Sequence, residues 1–111
     1  MVVMRRPWLD NAHTMLGFAW RKLGNYDLSL EAYQTALTLN LRHRGALEYL
    51  GEAYLDLDRL DDARATYRRL AKVCGQFVIG FDNNGWKHNC EELEDLASAF
   101  AAHGAPLPGA S

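Results

Sequence analysis

Residues 45–58, GALEYLGEAYLDLD, place Leu47, Leu50, Gly51, Tyr54 and Leu57 at three- and four-residue steps, the period of one buried face of an α-helix. The pattern has a copy upstream. Shifting the chain by 34 residues superposes Ala12 on Ala46, Leu16 on Leu50, Gly17 on Gly51, Ala19 on Ala53, Leu23 on Leu57, Asp27 on Asp61 and Tyr33 on Tyr67. A repeat of that length marks stacked helical hairpins, so the chain reads as all-α.

Bulk properties set the limits. At 111 residues the chain is one domain with a modest core, for which additional staples matter. Twelve basic against 14 acidic residues, spread along the chain for a formal charge of −2, give no electrostatic footprint for nucleic acid or an anionic membrane. No apolar run approaches the roughly 20 residues that span a bilayer. The opening MVVMRRPWLD lacks the apolar core of a secretory signal. As written, the sequence points to the cytoplasm.

In order, residues 1–9 form a lead-in with Pro7, Trp8 and Leu9, and Asp10 is a candidate N-cap for a first helix running to about Leu23. Gly24-Asn25 is a turn. Tyr26, Ser29, Leu30, Tyr33, Ala36 and Leu37 make the inward stripe of a second helix ending near Leu39. The second hairpin repeats the design from about Arg44 to Leu57 and from Leu60 to Val73, with Leu60, Ala63, Tyr67, Leu70, Ala71 and Cys74 inward. Residues 75–89 break the pattern. Phe77, Val78, Ile79 and Phe81 are β-prone and Asp82-Asn83-Asn84-Gly85 forms turns, which reads as a short hairpin or a loop. Asn89 with Glu92 resembles a capping box opening a fifth helix, whose stripe is Leu93, Leu96, Ala97, Phe100 and Ala101. This capping helix, residues 90–103, ends before Gly104, and the tail 104–111 reads as disordered.

These spacings resemble the tetratricopeptide repeat, in which a large residue precedes Leu-Gly and an aromatic, followed later by a small residue and another aromatic. The first copy supplies His13, Leu16, Gly17, Trp20, Ser29 and Tyr33. The second supplies Leu47, Leu50, Gly51, Tyr54, Ala63 and Tyr67. The match spans residues 10–75. His13 and Leu47 replace the usual large aromatic, and Leu41 and Gly75 stand where proline usually ends a repeat. The resemblance implies two helical hairpins plus a C-terminal capping helix. Because about three repeats are usually needed for stability, the shortage, with Trp8 and Leu9 at the open end, leads us to expect a homo-oligomer. The run HRGALEYLGEAYL, then Cys74 and CEELEDL, is also similar to a group of small bacterial repeat proteins, often exported, in which two cysteines join the last repeat to a terminal helix. That likeness implies a Cys74–Cys90 disulfide, and a periplasmic location if an export signal is missing from the sequence.

For function, the resemblance implies a protein or peptide partner on the concave face made by the first helix of each repeat. The residues concerned are Asn11, Thr14, Met15, Phe18, Arg21, Lys22, Glu48, Tyr49, Glu52, Leu55 and Asp56. The opposing reading is a solvated face on which Arg21 and Lys22 pair internally with Glu52 and Asp56. Thr14, Phe18, Gly45 and Tyr49 do not supply the basic and asparagine set with which repeats of this type grip a terminal carboxylate.

A rival from another class is a zinc site built by Cys74, His88 and Cys90. No tight Cys-x-x-Cys pair or His pair one turn apart supports it, and the expectation is no bound metal or cofactor, with the thiols bonded or buried. His13, His43 and His103 are scattered and read as structural or solvated. Glu91, Glu92, Glu94 and Asp95 sit where carboxylates favour a helix N-terminus. No phosphate loop or nucleophile motif is present, so an enzyme is not expected.

Overall fold

The computed structural model describes residues 8–75 and 90–109. Among these, five helices follow one another: α1 (Leu9–Lys22), α2 (Tyr26–Leu39), α3 (Arg44–Asp56), α4 (Leu60–Val73) and α5 (Glu91–Ala102). α1 packs on α2 and α3 on α4 as two hairpins, and α5 packs against α3 and α4. The expected β-prone segment lies almost wholly outside the described residues.

The helix ends explain the connections. α1 runs into Gly24 at φ +86°, and the Asn25 N–H donates back to the Trp20 carbonyl at 2.9 Å, a Schellman closure that requires a left-handed residue. In the second hairpin the equivalent residue is Asp58, φ +61°, and Arg59 N–H donates to Tyr54 O at 2.8 Å. Aspartate tolerates this region better than most side chains, so the same turn survives without glycine. The Asn25 side chain then caps α2 by accepting from Leu28 N–H at 3.1 Å.

Two expected caps are corrected. Trp8, with no side-chain cap bond, is the N-cap of α1. Asp10 lies one residue inside the helix, where its carboxylate accepts from Asn40 Nδ2 at 2.9 Å and ties the start of α1 to the α2–α3 connection. Cys90 stands at the N-cap position of α5 with no side-chain cap bond, which puts Glu92 at the second helical position, and Asn89 of the expected capping box lies outside the described residues. The tail expectation is corrected as well. Ala105 N–H donates to Phe100 O at 2.9 Å, and Ala105 and Leu107 pack against the core. Ala101, assigned to the inward stripe of α5, is exposed.

The core centres on α3. Ala46, Leu47, Leu50, Gly51, Ala53, Tyr54 and Leu55 are all buried, so the helix is enclosed round most of its circumference, as an element apolar on several faces must be. Burying one leucine side chain there contributes about 2 kcal/mol. α5 reuses the first-helix pattern: Leu93, Leu96, Ala97 and Phe100 have the spacing of Leu47, Leu50, Gly51 and Tyr54. It therefore closes the stack as the first helix of an incomplete third repeat, with Leu96 and Phe100 fully buried and Phe100 edge-on to Tyr67 at 5.7 Å.

Gly17 and Gly51 occupy the same repeat position, yet they accommodate different neighbours. A Cβ on Gly17 would lie 2.5 Å from the Tyr33 ring, whereas one on Gly51 would lie 2.8 Å from a methyl of Leu96. The Gly17 carbonyl also accepts from Ser29 Oγ at 2.7 Å, pinning α1 to α2. A buried aromatic ring cannot turn away as a leucine terminus can. Gly17→Ala is therefore expected to cost about 2–3 kcal/mol and Gly51→Ala about 1 kcal/mol or less, compared by urea unfolding of the two variants. Equal losses would contradict this packing.

Candidate partner-binding face

α1, α3 and α5 share one side of the stack, and the side chains they present there divide into a fixed ionic network and an open aromatic shelf. The network begins at Arg21. Its Nε donates to Asp56 Oδ2 at 2.7 Å, and its Nη1 lies 3.3 Å from Glu52 Oε1. Tyr26 Oη donates to the same Asp56 oxygen at 3.0 Å, and His103 Nε2 lies 3.3 Å from Asp56 Oδ1. Asp56 thus joins α1, α2 and the end of α5. Its partial burial acts to raise its pKa, but the hydrogen bonds from Arg21 and Tyr26 outweigh that and hold it below the usual carboxylate value. For Arg21 the internal-pairing reading of the sequence holds. Lys22 instead sits over the Phe18 ring, 5.2 Å from its centroid.

The shelf is Phe18 and Tyr49, with ring centroids 5.1 Å apart and tilted by 44°, both half-buried. Tyr49 leans in turn on Tyr33, 6.2 Å away. The Tyr33 ring is fully buried, its hydroxyl has no hydrogen-bond partner among the described residues, and burial pushes its pKa up to about 12.

The structure redistributes the residues expected on this face. Met15 and Lys22 are exposed, and Phe18, Tyr49 and Glu52 are partly so. Asn11 is exposed but engaged, its Oδ1 2.6 Å from His43 Nε2. His43 Nδ1 accepts from Ala46 N–H at 3.0 Å, so this histidine caps α3. Three expectations are corrected. Leu55 is only 2% exposed, within the core centred on α3. Thr14 is buried in the first hairpin, its Oγ donating to Asp10 O at 2.8 Å. Glu48 is 8% exposed.

Glu48 is the electrostatic anomaly. Burial first, then a hydrogen bond with Glu52 and the nearby carboxylates of Glu52, Asp95 and Glu92, push its pKa strongly upward, so it holds a proton at neutral pH. Glu52 in turn lies 3.3 Å from Arg21 Nη1. Sequence reasoning missed the contribution of α5, Asp95, Glu92 and His103 to this face. The spacing of Leu93, Leu96, Ala97 and Phe100 was the signal that α5 stands in line with α1 and α3.

Of the ligands in the metal reading, His88 lies outside the described residues. Cys74 and Cys90 stand with their Cα atoms 5.9 Å apart, within the span of a disulfide. Among the described residues no group of three His, Cys, Asp or Glu side chains is arranged to hold an ion, and no helix is long and apolar enough to cross a membrane.

The sign of the Glu48 effect on stability is fixed. The folded chain keeps this proton at pH values where the unfolded chain has lost it, so the contribution is fully present below the unfolded carboxylate pKa of about 4.3 and is lost as pH rises toward the folded value. The lowered Asp10 and Asp56 act in the opposite sense, only below that range. Glu48→Gln is expected to match wild type near pH 4 and to exceed its melting temperature progressively up to pH 8, followed by circular dichroism. A constant difference across pH would show that Glu48 is ionised.

No curated protein and no solved structure matches the chain. One family model does, that of the tetratricopeptide repeat, over residues 15–76, more than half of the 111 residues. With the hairpin pair α1–α4 in place over the same stretch, the chain belongs to the tetratricopeptide repeat family.

Proposed function

We propose that this protein is an interaction module whose α1–α3–α5 face takes a peptide segment of a protein partner, one carrying a basic side chain next to an apolar or aromatic residue. The family supports the general role of protein binding. The observation that carries the finer reading is the pairing of a half-exposed aromatic shelf, Phe18 and Tyr49, with the acidic side chains Glu92 and Asp95 that α5 brings near the buried Glu48. A guest lysine or arginine relieves that crowding, and the shelf accepts its aliphatic stem or a neighbouring ring. Arg21 serves as a structural cation, because both of its carboxylate partners belong to the chain.

The test is a peptide array in which an aromatic residue is flanked by either Lys/Arg or Asp/Glu, probed with wild type, Phe18→Lys and, as a control on the outer helix α4, Arg68→Glu. Wild type and control should retain the basic peptides, and Phe18→Lys should lose about tenfold in affinity, equivalent to about 1.4 kcal/mol. Retention should weaken as salt is raised. Equal binding by Phe18→Lys, or preference for acidic peptides, would refute the groove.

We also propose that the Cys74–Cys90 pair is bonded in the folded protein, fastening α5 to the end of α4. With a sequence separation of 16, loop-closure entropy makes the bond worth roughly 3 kcal/mol. Reduction should lower the unfolding midpoint and release two thiols on denaturation. Alkylation of both cysteines without prior reduction would contradict it.

A further inference from the structure

Four of the repeat identities, Ala12/Ala46, Leu16/Leu50, Ala19/Ala53 and Leu23/Leu57, fall along one side of α1 and of α3. In α3 that side is closed by the first hairpin: Ala46, Leu50 and Ala53 are at most 1% exposed. In α1 it is open. Leu16 is 46% and Leu23 76% exposed, Ala12 and Ala19 are exposed, and Leu9, 36% exposed, extends the row by about one turn. The row repeats at steps of three and four along all of α1, the seven-residue spacing of a helix–helix seam. It points away from Thr14 and Gly17, which face α2, and lies on a different side from Phe18 and Lys22.

The surface that receives this row inside the molecule is the second helix of a preceding hairpin, and the far end of the described chain offers no free copy of it. α4, the counterpart of α2, is covered by α5, and Ala105 and Leu107 pack on the same core. Head-to-tail stacking therefore has no open acceptor. The row is instead complementary to itself: Leu16 is its midpoint, Ala12 and Ala19 lie near it on either side, and Leu9 and Leu23 end it symmetrically. It contains no charge. An antiparallel partner sets opposed helix dipoles side by side.

We propose that this row is the two-fold interface of a homodimer in which two α1 helices pack antiparallel, Leu16 of one protomer against Leu16 of the other. In an isologous contact each pairing occurs twice, so Leu9 meets Leu23 and Ala12 meets Ala19 at both ends, and the alanines let the helices approach closely. The row and Trp8 offer on the order of 500 Å² per protomer, about 1,000 Å² for the pair, the lower range of specific interfaces. Because buried area alone does not set affinity, the test spans micromolar concentrations.

Sedimentation equilibrium of the full chain over about 1–500 µM brackets that range. The average mass should rise from 12.5 kDa toward twice that value. Leu16→Glu, and independently Leu23→Glu, should stay monomeric with unchanged helical circular dichroism. Phe18→Lys, which probes the groove, should still dimerise, so failure of one proposal is distinguishable from failure of the other. Under mild oxidation Leu16→Cys should give severalfold more covalent dimer than Leu9→Cys, because only the residue on the axis meets itself. A constant mass of 12.5 kDa overturns the proposal and assigns the row to another occupant, such as a preceding helical hairpin. A dimer that persists in both glutamate variants overturns it in favour of another surface.

Discussion

Enclosure of α3 is the constraint on which the rest of the structure depends. A helix with leucine, alanine, tyrosine and glycine distributed round most of its circumference cannot be satisfied by a single neighbour, and here it has several. The first hairpin covers Ala46, Leu50 and Ala53, α4 completes its own hairpin, and α5 approaches at Gly51. Each approach is set by a local feature. The Gly17 carbonyl is held by Ser29, left-handed residues close the first helix of each hairpin, and Leu96 lies against the glycine that its own repeat position would lead one to match with Tyr67.

That enclosure also determines the electrostatics. Placing α1, α3 and α5 side by side brings Arg21, Glu52, Asp56 and His103 into one network and forces Glu48 against three other carboxylates. Charges buried at such a junction are costly unless paired. Asp56 meets this by gathering three partners, and Glu48 meets it by keeping its proton. The network lies at the Arg21–Asp56 end of this face, while the aromatic shelf lies toward Tyr49.

The repeat is also a way of displaying surface. An interior helix and a terminal helix with the same row of residues differ only in whether a hairpin precedes them. What is core in α3 is therefore solvent-facing in α1, with no change in the row's composition. Here Leu16 and Leu23 remain apolar and exposed.

By itself the sequence determined the architecture. Two copies of one apolar period, offset by 34 residues, specify two helical hairpins, because periodicity records which side of each helix must leave water. It also located four of the five helices to within about a residue at each end, and it offered the pairing of Arg21 and Lys22 with Glu52 and Asp56 only as the alternative to a partner groove. It did not reveal where α5 would sit, because that depends on packing across a long intervening segment. Burial of Leu55, Glu48 and Thr14, packing of Ala105 and Leu107, and the capping role of His43 were decided only when the elements came together. A residue's face on a helix is a local property, legible from spacing, whereas whether that face is open is a property of what packs against it.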